Sequence, residues 1–177
     1  MKKAFAITMI CVLFFWVGRI YNINQNPPIT TYYNIGDTIQ CGDLELSFSE
    51  SHIDELKEFN ERFGNDYSTN DEIRIISICI NVTNKSNNDI NWDDVMDFLG
   101  CGFESSVWAS AIDPNLGSMV NRFSKRSLAS GKTQKIWFLS QINKICFKDT
   151  SWNKLNSFQF SYVLSLSPSK IAVRVKA

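Results

Sequence analysis

From Ile76 to Thr83 the chain alternates without a break. Ile76, Ile78, Ile80 and Val82 fall on one side of an extended backbone, and Ser77, Cys79, Asn81 and Thr83 on the other. Period two is the signature of a β-strand with a face against a core, because successive side chains of a strand point to opposite faces. Asn84 to Asn88 then supplies a polar turn. The same alternation recurs in Leu44, Leu46 and Phe48, after the turn-like Cys41-Gly42-Asp43. It recurs in Phe158, Phe160, Tyr162, Leu164 and Leu166, which Pro168 stops, and in Ile171, Val173 and Val175. Ile136 to Leu139 follows a turn at Ser130-Gly131-Lys132, and weaker strand patterns lie at 32–39, 105–111 and 120–128.

Three segments break the period. Ile53, Leu56, Phe59 and Phe63 recur at helical spacing, which predicts a helix from Ser51 to Gly64 with Ser51 as cap, Asp54 and Glu55 in its first turn and a Glu58–Arg62 pair. Asn91 caps a second predicted helix to Leu99, with Asp93 and Asp94 in the first turn. A single turn is expected near Ser151 to Leu155. Seven or eight short strands with small helices in the connections make the chain mostly β, a β-sandwich. Its 44% hydrophobic and 13% aromatic residues suffice for a core, so extensive disorder is excluded.

The N-terminus is of a different kind. Lys2 and Lys3 precede an uncharged apolar run from Ala4 to Gly18 that Arg19 closes. A basic start before an apolar stretch is a cleaved signal peptide or an uncleaved signal anchor. Fifteen helical residues span roughly 22 Å, short of the ~30 Å hydrocarbon core. Snorkelling of Lys3 and Arg19, with Trp16 and Tyr21 at the interface, makes up the difference. Cleavage after Gly18 would put Trp16 where a small residue is needed, and Cys11 lacks the small preceding residue that lipid attachment needs. One N-terminal transmembrane helix, residues 1–21, is therefore expected. The lysines favour the N-terminus inside and the rest outside: a single-pass cell-membrane protein with an extracellular C-terminal domain. Residues 22–31, with Pro27-Pro28, read as a linker, and 32–177 as the ectodomain. Three of the 18 basic residues (Lys2, Lys3, Arg19) belong to the anchor, so the rest carries a net charge of about −3 and is a poor match for nucleic acid.

Tyr33-x-Ile35-Gly36-Asp37-Thr38-Ile39 followed by Gly42-x-Leu44-x-Leu46 resembles the opening of the telokin-like, immunoglobulin-like domains of uncharacterised bacterial surface and lipoprotein-like proteins. Ile78-x-Ile80-x-Val82-x-Asn84-x-Ser86 is similar to their central strand and its Asn turn. Leu128-x-x-Gly131-x-Thr133-Gln134 is similar to their late turn and strand. The resemblance covers roughly Tyr32 to Leu166 and implies an immunoglobulin-like β-sandwich on a Gram-positive-type cell surface. It brings no activity and no catalytic residues. This chain departs from the pattern in lacking a lipobox and in its aromatic and Cys content.

Four cysteines lie in the exported part: Cys41, Cys79, Cys101 and Cys146. Outside the cytoplasm they are candidates for disulfides, in three possible connectivities. Cys79 faces away from the Ile76/Ile78/Ile80 side. Metal chemistry has little support, with no CxxC and one His, His52. Asp93, Asp94, Asp97 and Glu104 lack the spacing of a Ca²⁺ loop. No Ser or Cys has a nucleophile-elbow context, so no catalytic residue and no cofactor is assigned. Trp92, Phe103, Trp108 and Trp137 are the candidate partner surface, since large aromatics dominate such surfaces when exposed together. These readings converge on a membrane-anchored extracellular binding module for a protein or cell-wall partner. The alternatives are an accessory subunit of an envelope assembly and, with least support, an envelope hydrolase. A hydrolase would bring Asp93 or Glu104 close to His52 in a deep cleft.

Overall fold

The structure is a computed structural model that describes residues 9, 12, 15–19, 29–123, 125–166 and 169–176. In chain order the strands are β1 (Thr30–Tyr33), β2 (Thr38–Cys41), β3 (Leu44–Glu55), β4 (Ile73–Asn84), β5 (Ile90–Asn91), β6 (Gly102–Glu104), β7 (Ala109–Ser110), β8 (Ser127–Leu128), β9 (Thr133–Asn143), β10 (Phe160–Ser165) and β11 (Lys170–Val175). The helices are α1 (Leu56–Phe63), α2 (Trp92–Leu99), α3 (Pro114–Val120) and α4 (Asp149–Trp152). One sheet runs β1-β11-β10-β6-β7 and the other β2-β3-β4-β9, with β5 and β8 paired separately. All pairs are antiparallel except β1 with β11. This is a β-sandwich with short helices in its connections.

The main core lies between the sheets. Ile76, Ile78, Ile80 and Val82 of β4 all join it, with Leu46, Phe48, Phe138, Phe160 and Tyr162. The other face of β4 is covered as well. Phe59 of α1 and Leu116 of α3 pack there with Ile73, Ile75 and Leu139 as a second cluster. Double coverage explains why β4 is buried along most of its length rather than alternating in exposure. The tyrosine hydroxyl of Tyr162, wholly buried, donates to the carbonyl of Leu99 and so ties α2 to β10.

The first predicted helix starts later than its spacing implies. β3 runs on through Glu55, and α1 begins at Leu56. A bulge between Phe48 and Glu50 resets the alternation, turning Glu50, His52 and Asp54 outward and pairing Ile53 with Ile76. Ser51 therefore caps nothing; its Oγ accepts from the Lys176 N–H at 2.8 Å. Glu58 accepts from the Glu55 N–H at 2.9 Å. Arg62 makes a two-pronged bond to Asp54, at 2.9 and 3.0 Å, in place of the expected pair with Glu58. His52 is thus a strand residue, not a helix-start residue. α2 forms as expected, with the Asn91 side chain accepting from the Asp93 N–H.

The pattern at 120–128 does not make one strand: α3 ends at Val120 and only Ser127–Leu128 pairs. The linker expectation also shifts, because Thr30 and Thr31 are already in β1. Of the expected anchor, Met9, Val12 and residues 15–19 are helical and exposed, and the rest lies outside the described residues. Among the described residues no helix is long and apolar enough to cross a membrane.

Candidate functional site: a groove along the edge of the second sheet

β9 is an edge strand, and its outward backbone groups need partners. Asn121 supplies them at Trp137: its Nδ2 donates to the Trp137 carbonyl at 2.8 Å, and its Oδ1 accepts from the Trp137 N–H at 2.8 Å. The Leu139 carbonyl accepts from the Asp113 N–H at 2.7 Å. The chain from β7 to Asn121 thus runs along the β9 edge and carries α3 on it. Asp113 caps α3 by accepting from the Asn115 and Leu116 N–H groups, and Pro114 follows as its first residue.

Between α3, α2 and β9 lies an apolar cavity of about 260 Å³, lined by Met96, Ile112, Pro114, Phe123, Trp137 and Leu139 among others. Phe123 also borders a neighbouring concavity of about 430 Å³ with Trp92, Asp93, Lys125 and Arg126. Its ring lies 4.9 Å from that of Trp92, centroid to centroid. The two hollows form one groove, apolar at the Trp137 end and charged at the Lys125 end. Neither Lys125 nor Arg126 has an ion-pair partner among the described residues.

Two of the four expected aromatics meet here. Trp92 is mostly buried in the floor, and Trp137 is half-buried, edge-on to Phe63 at 4.9 Å with the Lys135 ammonium 5.2 Å from its ring. Phe103 is a core residue, 2% exposed and packed on Tyr162, because β6 turns it between the sheets; it forms no rim. Trp108 packs on Phe160 of the other sheet and does not line the groove. Phe123 and Met96 were missed. Asp113-Pro114 was the available signal, since a cap followed by Pro would have predicted α3 and left Phe123 in a loop with Arg122, Lys125 and Arg126.

The four cysteines are free thiols, and the expected bridges are absent. The fold keeps them apart: Cys41 ends β2, Cys79 sits in the middle of β4, Cys101 precedes β6 and Cys146 follows β9. Cys79 does face away from the inter-sheet core, beside Glu50 and Trp137, yet it is fully buried. Burial pushes its thiol pKa up, against smaller opposing effects of Ser49 and Lys135, so it is held protonated and poorly nucleophilic. Near it Glu50 accepts from Lys135 at 2.6 Å and lies 3.4 Å from His52 Nε2. The Lys135 hydrogen bond chiefly, then His52, holds the Glu50 carboxyl below its usual range. Glu104 pairs with Lys170 at 2.6 Å on the five-stranded sheet, and Asp93 heads α2, so the structure does not gather either around His52. Among the described residues no three His, Cys, Asp or Glu side chains converge as a metal site would require.

The fold is similar to that of an uncharacterized beta-sandwich protein from Clostridium difficile 630, at a TM-score of 0.54 and 12% identity over 83% of this chain and 96% of that one. A conserved hypothetical protein from Bacillus anthracis gives a TM-score of 0.49 and 11% identity over 73% of this chain and 87% of that one. No curated protein matches. Residues 19–171, most of the chain, match one family throughout, and the chain belongs to it: the family described as Domain of unknown function (DUF5028).

Proposed function

We propose that this chain is a membrane-held extracellular binding module, an immunoglobulin-like sandwich of the telokin-like kind, that takes its ligand in the groove under Phe123. The observation that carries the reading is the sharing of Phe123 between two adjoining hollows, one apolar and one charged. A site that fixes an apolar body at one end and a polar group at the other has the composition of a recognition site. Lys2, Lys3 and the apolar run from Ala4 to Gly18 support the membrane half of the reading, and the linker feeding β1 supports a tethered domain. The partner is a protein or a cell-wall component.

A photoreactive benzophenone side chain placed at Phe123, in the full chain in its native membranes, tests it. A discrete adduct is expected there on irradiation, and none with the same group at exposed Ile145. Equal labelling at both positions, or none at 123, would overturn the groove as the ligand site.

A further inference from the structure

The register of the five-stranded sheet fixes which groups share the end where the N-terminal segment joins it. Thr30 pairs with Lys170, Ser165 with Ile171, and Val163 with Gly102. Ile29, Leu166 and Cys101, each one residue beyond those strands, therefore lie at one end. α2 finishes there too: a side chain at Gly100 would meet Ile112, and one at Gly102 would meet Ser110 and Ala111. That end exposes Ile29 (76%), Leu166 (66%), Phe98 (51%) and the Cys101 thiol. From residue 29 onward seven large apolar side chains are exposed among the described residues, and three of them lie on segments that reach this end. Lys170 is neutralised by Glu104 at 2.6 Å, and Asp97 is the acidic neighbour of Phe98.

We infer that this end of the sandwich rests on the outer leaflet of the membrane that holds residues 4–18, with Ile29, Phe98 and Leu166 in the interfacial layer. The inference rests on the reading that the N-terminal segment stays in the bilayer. What points to lipid as the occupant is the chain itself. Only residues 19–28 separate the apolar run from Ile29, and ten residues span at most ~35 Å even fully extended. A tether that short keeps the domain at high effective concentration near the surface, so a small apolar contact suffices to orient it. Interfacial depth suits scattered aliphatic and aromatic side chains on a domain that does not cross the bilayer. The contact would hold the domain in one orientation instead of leaving it free to tumble on its linker.

The two exposed native thiols provide the test. Cys101 lies at the proposed contact, and Cys146 lies on the connection that enters β10 from its opposite end. The full chain, with Cys11→Ser and Cys41→Ser and either Cys146→Ser or Cys101→Ser, is labelled with an environment-sensitive dye at the remaining exposed thiol, Cys79 being fully buried. It is then reconstituted into phosphatidylglycerol–phosphatidylcholine vesicles carrying a shallow nitroxide lipid. The dye at Cys101 is expected to shift to the blue and be quenched, while that at Cys146 stays aqueous and unquenched. Ile29→Asp with Leu166→Asp abolishes the difference without releasing the protein from the vesicles. Equal emission at both sites in protein that floats with the vesicles overturns the inference and leaves the anchor reading standing. Protein that fails to float overturns both.

Discussion

Asn121 occupies on the edge of β9 the place that a residue of a neighbouring strand would take, giving one donor and one acceptor to Trp137. Asn121→Ala strips both bonds from a backbone that holds one wall of the groove. A loss of about 1–2 kcal/mol is expected in urea unfolding. The Arg62–Asp54 pair predicts an asymmetry. The Asp54 side chain is 7% exposed and that of Arg62 36%. Arg62→Ala strands a buried carboxylate and is expected to lower the urea midpoint more than Asp54→Ala, which leaves a guanidinium able to reach water. Glu50 predicts a pH effect. Its folded pKa is lowered, so its contribution to stability is present above the ordinary glutamate value of about 4.3. That contribution is lost as pH falls through the lower folded value. Glu50→Gln should flatten the acid limb of the stability–pH curve. Glu72, lowered by its bonds to Lys144 and Trp152, keeps some slope in place.

At the scale of elements, Asn84 joins two turns. Its buried amide donates to the Asn88 and Leu128 carbonyls, and its oxygen accepts from the Ser86 N–H and hydroxyl. Asn84→Ala removes the buried bonds to the Leu128 carbonyl and from the Ser86 N–H, while the Ser86 hydroxyl keeps the Asn88 carbonyl, at a cost of about 2–4 kcal/mol, read as a fall in thermal midpoint. Gly102, at φ 142°, lets β6 approach β7 so closely that a Cβ would lie 2.3 Å from the Ser110 carbonyl oxygen. Gly102→Ala should open the β6–β7 pairing and raise hydrogen exchange at Phe103 and Glu104. Much at this scale was legible. β3, β4, β10 and β11 each declare themselves by period two, β9 by the turn at Ser130-Gly131-Lys132 before it, and α2 by its cap. The start of α1 was not, because the bulge at Phe48 moves later side chains out of the register that spacing assumes. α3 was overlooked, although Asp113-Pro114 announces it.

At the scale of the molecule the proposals concern which way the domain faces. A membrane-impermeant maleimide applied to intact cells should label Cys146; labelling there only after lysis would remove the extracellular reading. Local pattern is enough to make the chain a β-sandwich with a basic, apolar N-terminal segment. Alternation and apolar runs are local properties of neighbouring residues, and strands follow from them directly. Long-range packing is what brings Trp92 and Trp137 to hollows that share Phe123, buries Phe103 in the core and sets the four cysteines apart. Each of these depends on sheet register and on how a connection wraps an edge strand. Such contacts join residues distant in the chain, and no local period encodes them.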